Sequence, residues 1–206
     1  VVEIHAWDGA GNHDYCETYV LVQNNQGLCS TDPNGAIAGI IETEQGQSVE
    51  GVHVQLSGQM QQIMDTPQNG MYGFLFLQPG YDYSITPELD ENYLNGVSTF
   101  DLILMAKHIL GTQTLDSPYK LIAADINNSG TITTLDAIQL RKLILNVDLE
   151  FSNNTSWRFI PQAYDFPVPS NPWFETFPEV INVNDLAGEL TDQDFIGVKI
   201  GDLNGS

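Results

Sequence analysis

Over its first half the chain alternates apolar and polar residues in short stretches, the period of half-buried strands. Val2, Ile4 and Ala6 share one face, Gly9-Ala10-Gly11-Asn12 turns the chain, and Tyr15 to Val22 runs as a second strand, so residues 1–23 are expected to form a hairpin. Residues 24–35 are polar and turn-rich and read as a linker. Five short strands are expected next, at 36–44, 51–57, 59–65, 71–77 and 81–87, punctuated by Gln45-Gly46, Gln68-Asn69-Gly70 and Pro79-Gly80. Turns every ten residues or so, roughly, are what small β-sandwiches show. The period then changes. Phe100, Ile103 and Leu110 recur at helical spacing, as do Leu135, Ile138 and Leu145, and Ser98 and Thr133 precede the two runs as candidate N-caps. From residue 150 the chain returns to strand-like runs at 157–160 and 194–200, separated by an aromatic, Pro-rich loop holding Tyr164, Phe166, Trp173, Phe174 and Phe177. That loop is expected to cover the helices or the sandwich. The predicted fold class is mostly β with a small α part, divided as 1–33, 34–89 and 90–206.

The sharpest chemical signal lies before the second helical run. Asp125, Asn127 and Ser129 fall at loop positions 1, 3 and 5, Gly130 at 6, Thr131 at 7 and Asp136 at 12. This is the ligand order of an EF-hand calcium loop: a hard cation takes six to eight oxygens, and alternate residues of a tight loop all turn inward. Gly130 permits the bend, Thr131 offers its carbonyl, and Asp136 closes the site from the first helical turn. Capping alone accounts for Ser98, Asp101, Thr133 and Asp136. It leaves Asp125, Asn127, Ser129 and Gly130 in register without a reason. Two ionised ligands imply weak binding, roughly 10⁻⁴–10⁻³ M, suited to extracellular calcium.

The first helical run is a copy of the second at a constant offset of 35 residues, as Asp101 and Asp136 show. Counting back from Asp101 places Asp90 at position 1, Asn92 at 3, Leu94 at 5, Asn95 at 6, Gly96 at 7 and Ser98 at 9. Leu94 has no side-chain oxygen and Asn95 replaces the glycine, so this loop is defective. A second calcium is expected here with Asp101 as its securest ligand, completed by Asp90 and Asn92 or by Asp202 and Asn204. Residues 202–206 look like the opening half of a calcium loop with no helix to follow; their alternative is a solvated end.

The duplicated units at 90–147 resemble the dockerin family, which mediates calcium-dependent docking between secreted proteins. The resemblance implies calcium as cofactor and a partner surface at loop positions 10 and 11, that is Thr99, Phe100, Thr134 and Leu135; a cap followed by a core residue is the alternative. The pieces Ala38-Gly39-Ile40-Ile41, 51–56, 69–74 and 77–83 resemble the carboxypeptidase-regulatory-like, or transthyretin-like, sandwich, a spacer that carries no catalytic residues. Trp7-Asp8-Gly9-Ala10-Gly11-Asn12, Cys16 and Val20-Leu21-Val22 resemble the last strands of a hyalin-repeat, immunoglobulin-like module.

Composition narrows the field further. With 27 acidic against 6 basic residues the formal net charge is −21, which argues against nucleic acid and anionic membranes as partners. A hydrophobic share of 42% argues against disorder. No run approaches the ~20 apolar residues of a membrane span. The start at Val1-Val2, without Met or leader, suggests a processed product or a piece of something longer. Cys16 and Cys29 either pair with each other or leave Cys16 for a cysteine upstream. Asp8, His13 and Asp14 read as solvated turn residues, and no zinc spacing or nucleophile motif is present.

The expectation is a non-catalytic, calcium-stabilised module of a secreted or surface bacterial protein. Its leading form is the subunit of an extracellular fibre, the hairpin completing another subunit's sheet by β-strand complementation. The alternatives are a dockerin bound to a cohesin-type partner, and the non-catalytic C-terminal part of a secreted hydrolase.

Overall fold

The computed structural model describes residues 2–18 and 34–206. They belong to two compact units, Val1–Asp32 and Pro33–Ser206. In the first, β1 (Val2–Trp7) pairs antiparallel with β2 (His13–Thr18), Val2 opposite Thr18 and Trp7 opposite His13. Asp8 ties the turn: its carboxylate accepts from the amides of Ala10 and Asn12 at 2.9 Å each and from Asn12 Nδ2 at 2.7 Å. These bonds, the Asn12 side chain foremost, hold its acid below the usual carboxylate value. The second strand begins at His13, two residues before the expected Tyr15, because the turn closes within Asp8–Asn12. Residues 19–33, with the expected end of that strand, most of the linker and any Cys16–Cys29 bridge, lie outside the described residues.

The second unit contains, among the described residues, two sheets and three helices. In one sheet β3 (Gly35–Glu42) pairs antiparallel with β6 (Met71–Leu77) on one side. On its other side it pairs in parallel with β10 (Glu189–Leu190) and then with β11 (Phe195–Lys199), and β11 pairs with β8 (Trp157–Pro161). The other sheet runs β5 (Gln62–Asp65), β4 (His53–Gly58), β7 (Tyr83–Glu88), β9 (Ile181–Val183), all antiparallel. Alternate residues of both sheets, among them Ile37, Ile41, Phe74, Val54, Leu56, Tyr83 and Ile85, share one apolar core. Strand pairings therefore cross the 89/90 position, since β9, β10 and β11 complete sheets begun by residues 35–88.

The helices are α1 (Thr99–Ile109), α2 (Pro118–Ala124) and α3 (Thr134–Ile144). Their core takes Met105, Ile122, Leu140 and Leu143 together with Ile160, Val198 and Ile200, while Phe159 and Phe195 belong to the core between the sheets. Successive residues of β8 and β11 thus enter different cores, and both faces of these strands are covered. The aromatic loop joins the helical side: Phe166 packs edge-on to Tyr119 and against Phe177, and Trp173 packs there too. Gly39 is required where β3 meets the β10–β11 link, because a Cβ there would lie 2.1 Å from the Gln193 carbonyl oxygen. The same link accepts a bond from Ile40 N at Asp194 Oδ1, 2.8 Å.

Among the described residues one cation is buried, next to residues of both cores. Lys199, 6% exposed, donates to the carbonyls of Tyr93 at 3.1 Å and Ser156 at 3.3 Å. Burial pushes its ammonium down to about 8 from 10.5, against the opposing pull of Asp202 and Asp90. Between those two values the unfolded chain holds a proton that the folded chain has released, so stability rises with pH across that window. Urea denaturation at pH 7.5 and 9.5 is expected to show that rise in the wild type and a flatter response in Lys199→Met. Parallel pH responses would contradict the burial account.

Candidate metal centre

Both long helices begin in capping boxes. Thr133 Oγ1 accepts from Leu135 N at 3.2 Å, and Asp136 Oδ2 accepts from Thr133 N and Oγ1 at 2.8 and 3.0 Å. In α1, Ser98 Oγ accepts from Phe100 N at 3.2 Å, and Asp101 Oδ2 accepts from Ser98 N and Oγ at 2.8 and 2.9 Å. One oxygen of each aspartate therefore serves its own helix. The other reaches a second segment: Asp136 Oδ1 accepts from Asn127 N at 3.3 Å and Asp101 Oδ1 from Leu203 N at 2.8 Å.

Helix α2, capped by Ser117 with Pro118 in its first turn, delivers Asp125 at its C-terminal end. Asp125 Oδ1 accepts from Ser129 N at 2.8 Å, Asp125 Oδ2 accepts from Gly130 N at 2.7 Å, and Ser129 Oγ donates to the Thr131 carbonyl at 3.1 Å. Gly130, at φ +76°, lies against Trp173, whose ring would be 3.6 Å from an added Cβ. Asn154 Nδ2 donates to the Asp125 carbonyl at 2.9 Å, and Arg158 bridges Asn128 Oδ1 to the Glu179 carboxylate. These fastenings from residues 154–179 have no signature in the loop's own sequence.

The donor set fits calcium. Asp125 and Asp136 are 2% and 0% exposed. Burial first, and the Asp136 charge in addition, push the Asp125 acid up, although the amides of Ser129 and Gly130 pull it down. At the third position Asn127 Oδ1 is buried without a hydrogen-bond partner, a state that costs about 1–3 kcal/mol unless something positive meets it. Every available donor is a hard oxygen, the preference of calcium. Calcium, when bound, supplies the positive charge that these groups lack. Among the described residues no three His, Cys, Asp or Glu side chains gather as a metal cluster. The loop itself explains why: it contributes two carboxylates, and its remaining donors are amide, hydroxyl and carbonyl oxygens.

The defective first loop has a different fate. Asp90 Oδ1 accepts from Tyr93 Oη at 2.6 Å and Ser156 N at 2.8 Å, and Asn92 turns the chain at φ +52° with its amide on Glu91. Among the described residues neither is hydrogen-bonded to Asp101. Residues 202–206 stand there instead: beside the Leu203–Asp101 bond, Ser206 Oγ donates to the Gly96 carbonyl at 3.1 Å, and Asp202 Oδ1 accepts from Asn204 N at 3.1 Å and Gly205 N at 2.8 Å. Gly96, Asp101, Asp202 and Asn204 are thus brought together, and Asp90 and Asn92 are engaged elsewhere. Ser206 lies within the 202–206 stretch that the sequence singles out, but is not among the ligands named from it.

Thr99, Phe100, Thr134 and Leu135 are all exposed at the starts of α1 and α3, so neither Phe100 nor Leu135 is a core residue. The dockerin type I domain model matches residues 91–145, from the segment before α1 through the end of α3. This stretch is a dockerin-like module. Dockerin domains are non-catalytic, calcium-binding assembly modules, and the match covers about a quarter of the chain. No curated protein matches the sequence. No helix among the described residues is long and apolar enough to cross a membrane.

Asp136→Ala removes the N3 half of the α3 capping box together with the closing ligand, and leaves the Thr133 N-cap in place. Its melting temperature in millimolar calcium is expected to fall by several degrees, and its calcium-dependent gain to shrink relative to wild type. Identical wild-type melting in calcium and in chelator would overturn the calcium assignment.

Proposed function

We propose that the second unit is a calcium-stabilised docking module of a secreted or cell-surface bacterial protein, and that the outward face of α1 and α3 binds a cohesin-type domain. One observation carries this reading. Phe100, Ile103 and Leu110 on the first copy are 51%, 50% and 74% exposed, and their counterparts Leu135, Ile138 and Leu145 are 52%, 52% and 60% exposed. Six large apolar side chains at duplicated positions on two packed helices and their C-caps are left open to solvent, an exposure that points to a protein interface. Covering each half-exposed side chain yields roughly 1 kcal/mol. That sum is comparable with the low end of the association cost, so shape and polar contacts decide which partner is held. Three of the six basic residues, Lys107, Arg141 and Lys142, lie on the same two helices, which lessens repulsion of an acidic partner. Calcium enters through Asp101 and Asp136, which set the helix starts that present Phe100 and Leu135.

Titration with cohesin-type domains is expected to show binding in calcium that is lost in chelator. The Phe100→Ala/Leu135→Ala double variant is expected to weaken it by about tenfold or more without changing the calcium-dependent melting shift. Binding indifferent to both substitutions would reject this face.

A second reading rests on the first unit. β1 and β2 form a two-stranded sheet among the described residues, and two strands alone are marginal in water. A strand from another subunit added to this sheet by main-chain pairing would make the chain the subunit of an extracellular fibre. Sedimentation at high concentration is expected to show polymers for the full chain and monomers once residues 1–23 are removed. A full chain that stays monomeric would leave docking alone.

A further inference from the structure

We propose that a second calcium is held by a loop spliced from two distant segments, with residues 202–206 supplying positions 1 to 5 and residues 96–101 supplying positions 7 to 12. The inference rests on the calcium reading of the dockerin-like pair and extends it to residues outside the family match.

The intact loop at 125–136 provides the template. Its opening, Asp125-Ile126-Asn127-Asn128-Ser129, is repeated in type by Asp202-Leu203-Asn204-Gly205-Ser206. Position 2 is a buried aliphatic in both, Ile126 at 1% and Leu203 at 2% exposure. Position 4 is left-handed in both, Asn128 at φ +53° and Gly205 at φ +72°. The closing halves correspond as well: Ser98 and Asp101 reproduce the capping box of Thr133 and Asp136.

What joins the halves is a contact that crosses the splice. In the intact loop the hydroxyl at position 5 donates to the carbonyl at position 7, Ser129 Oγ to Thr131 at 3.1 Å. In the spliced loop Ser206 Oγ donates to the Gly96 carbonyl, also at 3.1 Å, although 110 residues separate them. The aspartate at position 12 bonds an amide of the opening half in each case, Asp136 to Asn127 and Asp101 to Leu203. Gly96 leaves the space that this needs: at φ +72°, an added Cβ would stand 2.6 Å from Asp202 Oδ2 and 2.9 Å from the Ser206 carbonyl oxygen. Loop position by loop position, the oxygens available are the Asp202 carboxylate, the Asn204 amide, the Ser206 hydroxyl, the Gly96 carbonyl and the Asp101 carboxylate. They match the donors of the intact loop in type and order. The contiguous alternative is weaker in the same terms, because Leu94 brings no oxygen and Asp90 is held by Ser156 and Tyr93.

Counting calcium bound per full chain, by equilibrium dialysis and native mass spectrometry, tests the splice. Wild type is expected to hold two ions, Asp125→Ala one and Asp202→Ala one. Asp90→Ala should keep both. Should Asp202→Ala fail to fold, Asn204→Ala serves in its place and is expected to weaken one of the two sites by about tenfold or more while leaving the other unchanged. Two undiminished ions in both the Asp202 and Asn204 variants would overturn the spliced loop and leave the intact one standing. A wild type holding a single ion, abolished by Asp125→Ala, would overturn it likewise. A wild type that binds no calcium would reject the calcium reading of the whole module.

Discussion

Burying carboxylates in a chain of formal charge −21 is the constraint around which the second unit is arranged. Asp101 and Asp136 have no solvent exposure, and an ionised carboxylate taken out of water is costly unless donors replace the lost hydration. Here the replacement is divided. One oxygen closes the start of a long helix, where the helix dipole favours negative charge, and the other binds an amide of a separate segment. Each aspartate is consequently a joint, Asp136 between α3 and the loop just before it and Asp101 between α1 and a segment 102 residues on. Loop conformation, helix start and exposure of the neighbouring apolar residue are set together at these two points.

The remainder of the unit holds the joints in place. β8 and β11 are shared between the core of the two sheets and the core of the helices, so a shift of the helices is also a shift of Phe159 and Phe195 among the sheet residues. The helical pair has a rigid backing as a result. Arg158 extends the same logic, joining the 125–130 loop to Glu179 from its place on β8. Docking surfaces built on such a support lose little freedom on binding, which favours affinity per unit of buried area.

Much of this was legible in the sequence, for reasons that differ by element. The strands of residues 35–88 mostly alternate because one face meets the shared core, with a slip in β6 where Leu75 and Phe76 are both exposed. β11 reads as an apolar run, Phe195 to Val198, ended by the buried Lys199, because both of its faces are covered. β9 and β10, three and two residues long, carry no period at all, and α2, at seven residues, is too short to show one. Its only local mark was Ser117-Pro118, a cap followed by proline. The loop at 125–136 was readable because its ligand positions are contiguous. For the first site the spacing left two openings, Asp90 and Asn92 or Asp202 and Asn204, since counting along the chain assumes that neighbours in space are neighbours in sequence, whereas Leu203 and Ser206 are the residues bonded to Asp101 and Gly96. Phe100 and Leu135 posed a different problem: an apolar stripe has the same pattern whether its own core or another protein covers it.

The parallel ladder between β3 and the strands that follow residue 188 has a temporal consequence. Ile40 and the Asp194 carboxylate that receives its amide are 154 residues apart. At ordinary rates of synthesis, β3 waits on the order of ten to thirty seconds before its partners leave the ribosome. Neither sheet can close in that interval, and non-local pairing is slow even afterwards. The two sheets therefore stay open until residues 181–199 have been made, and an open segment is one that can still be threaded through a narrow channel. β9 closes one sheet and β11 the other, and β11 seals the helical core as well.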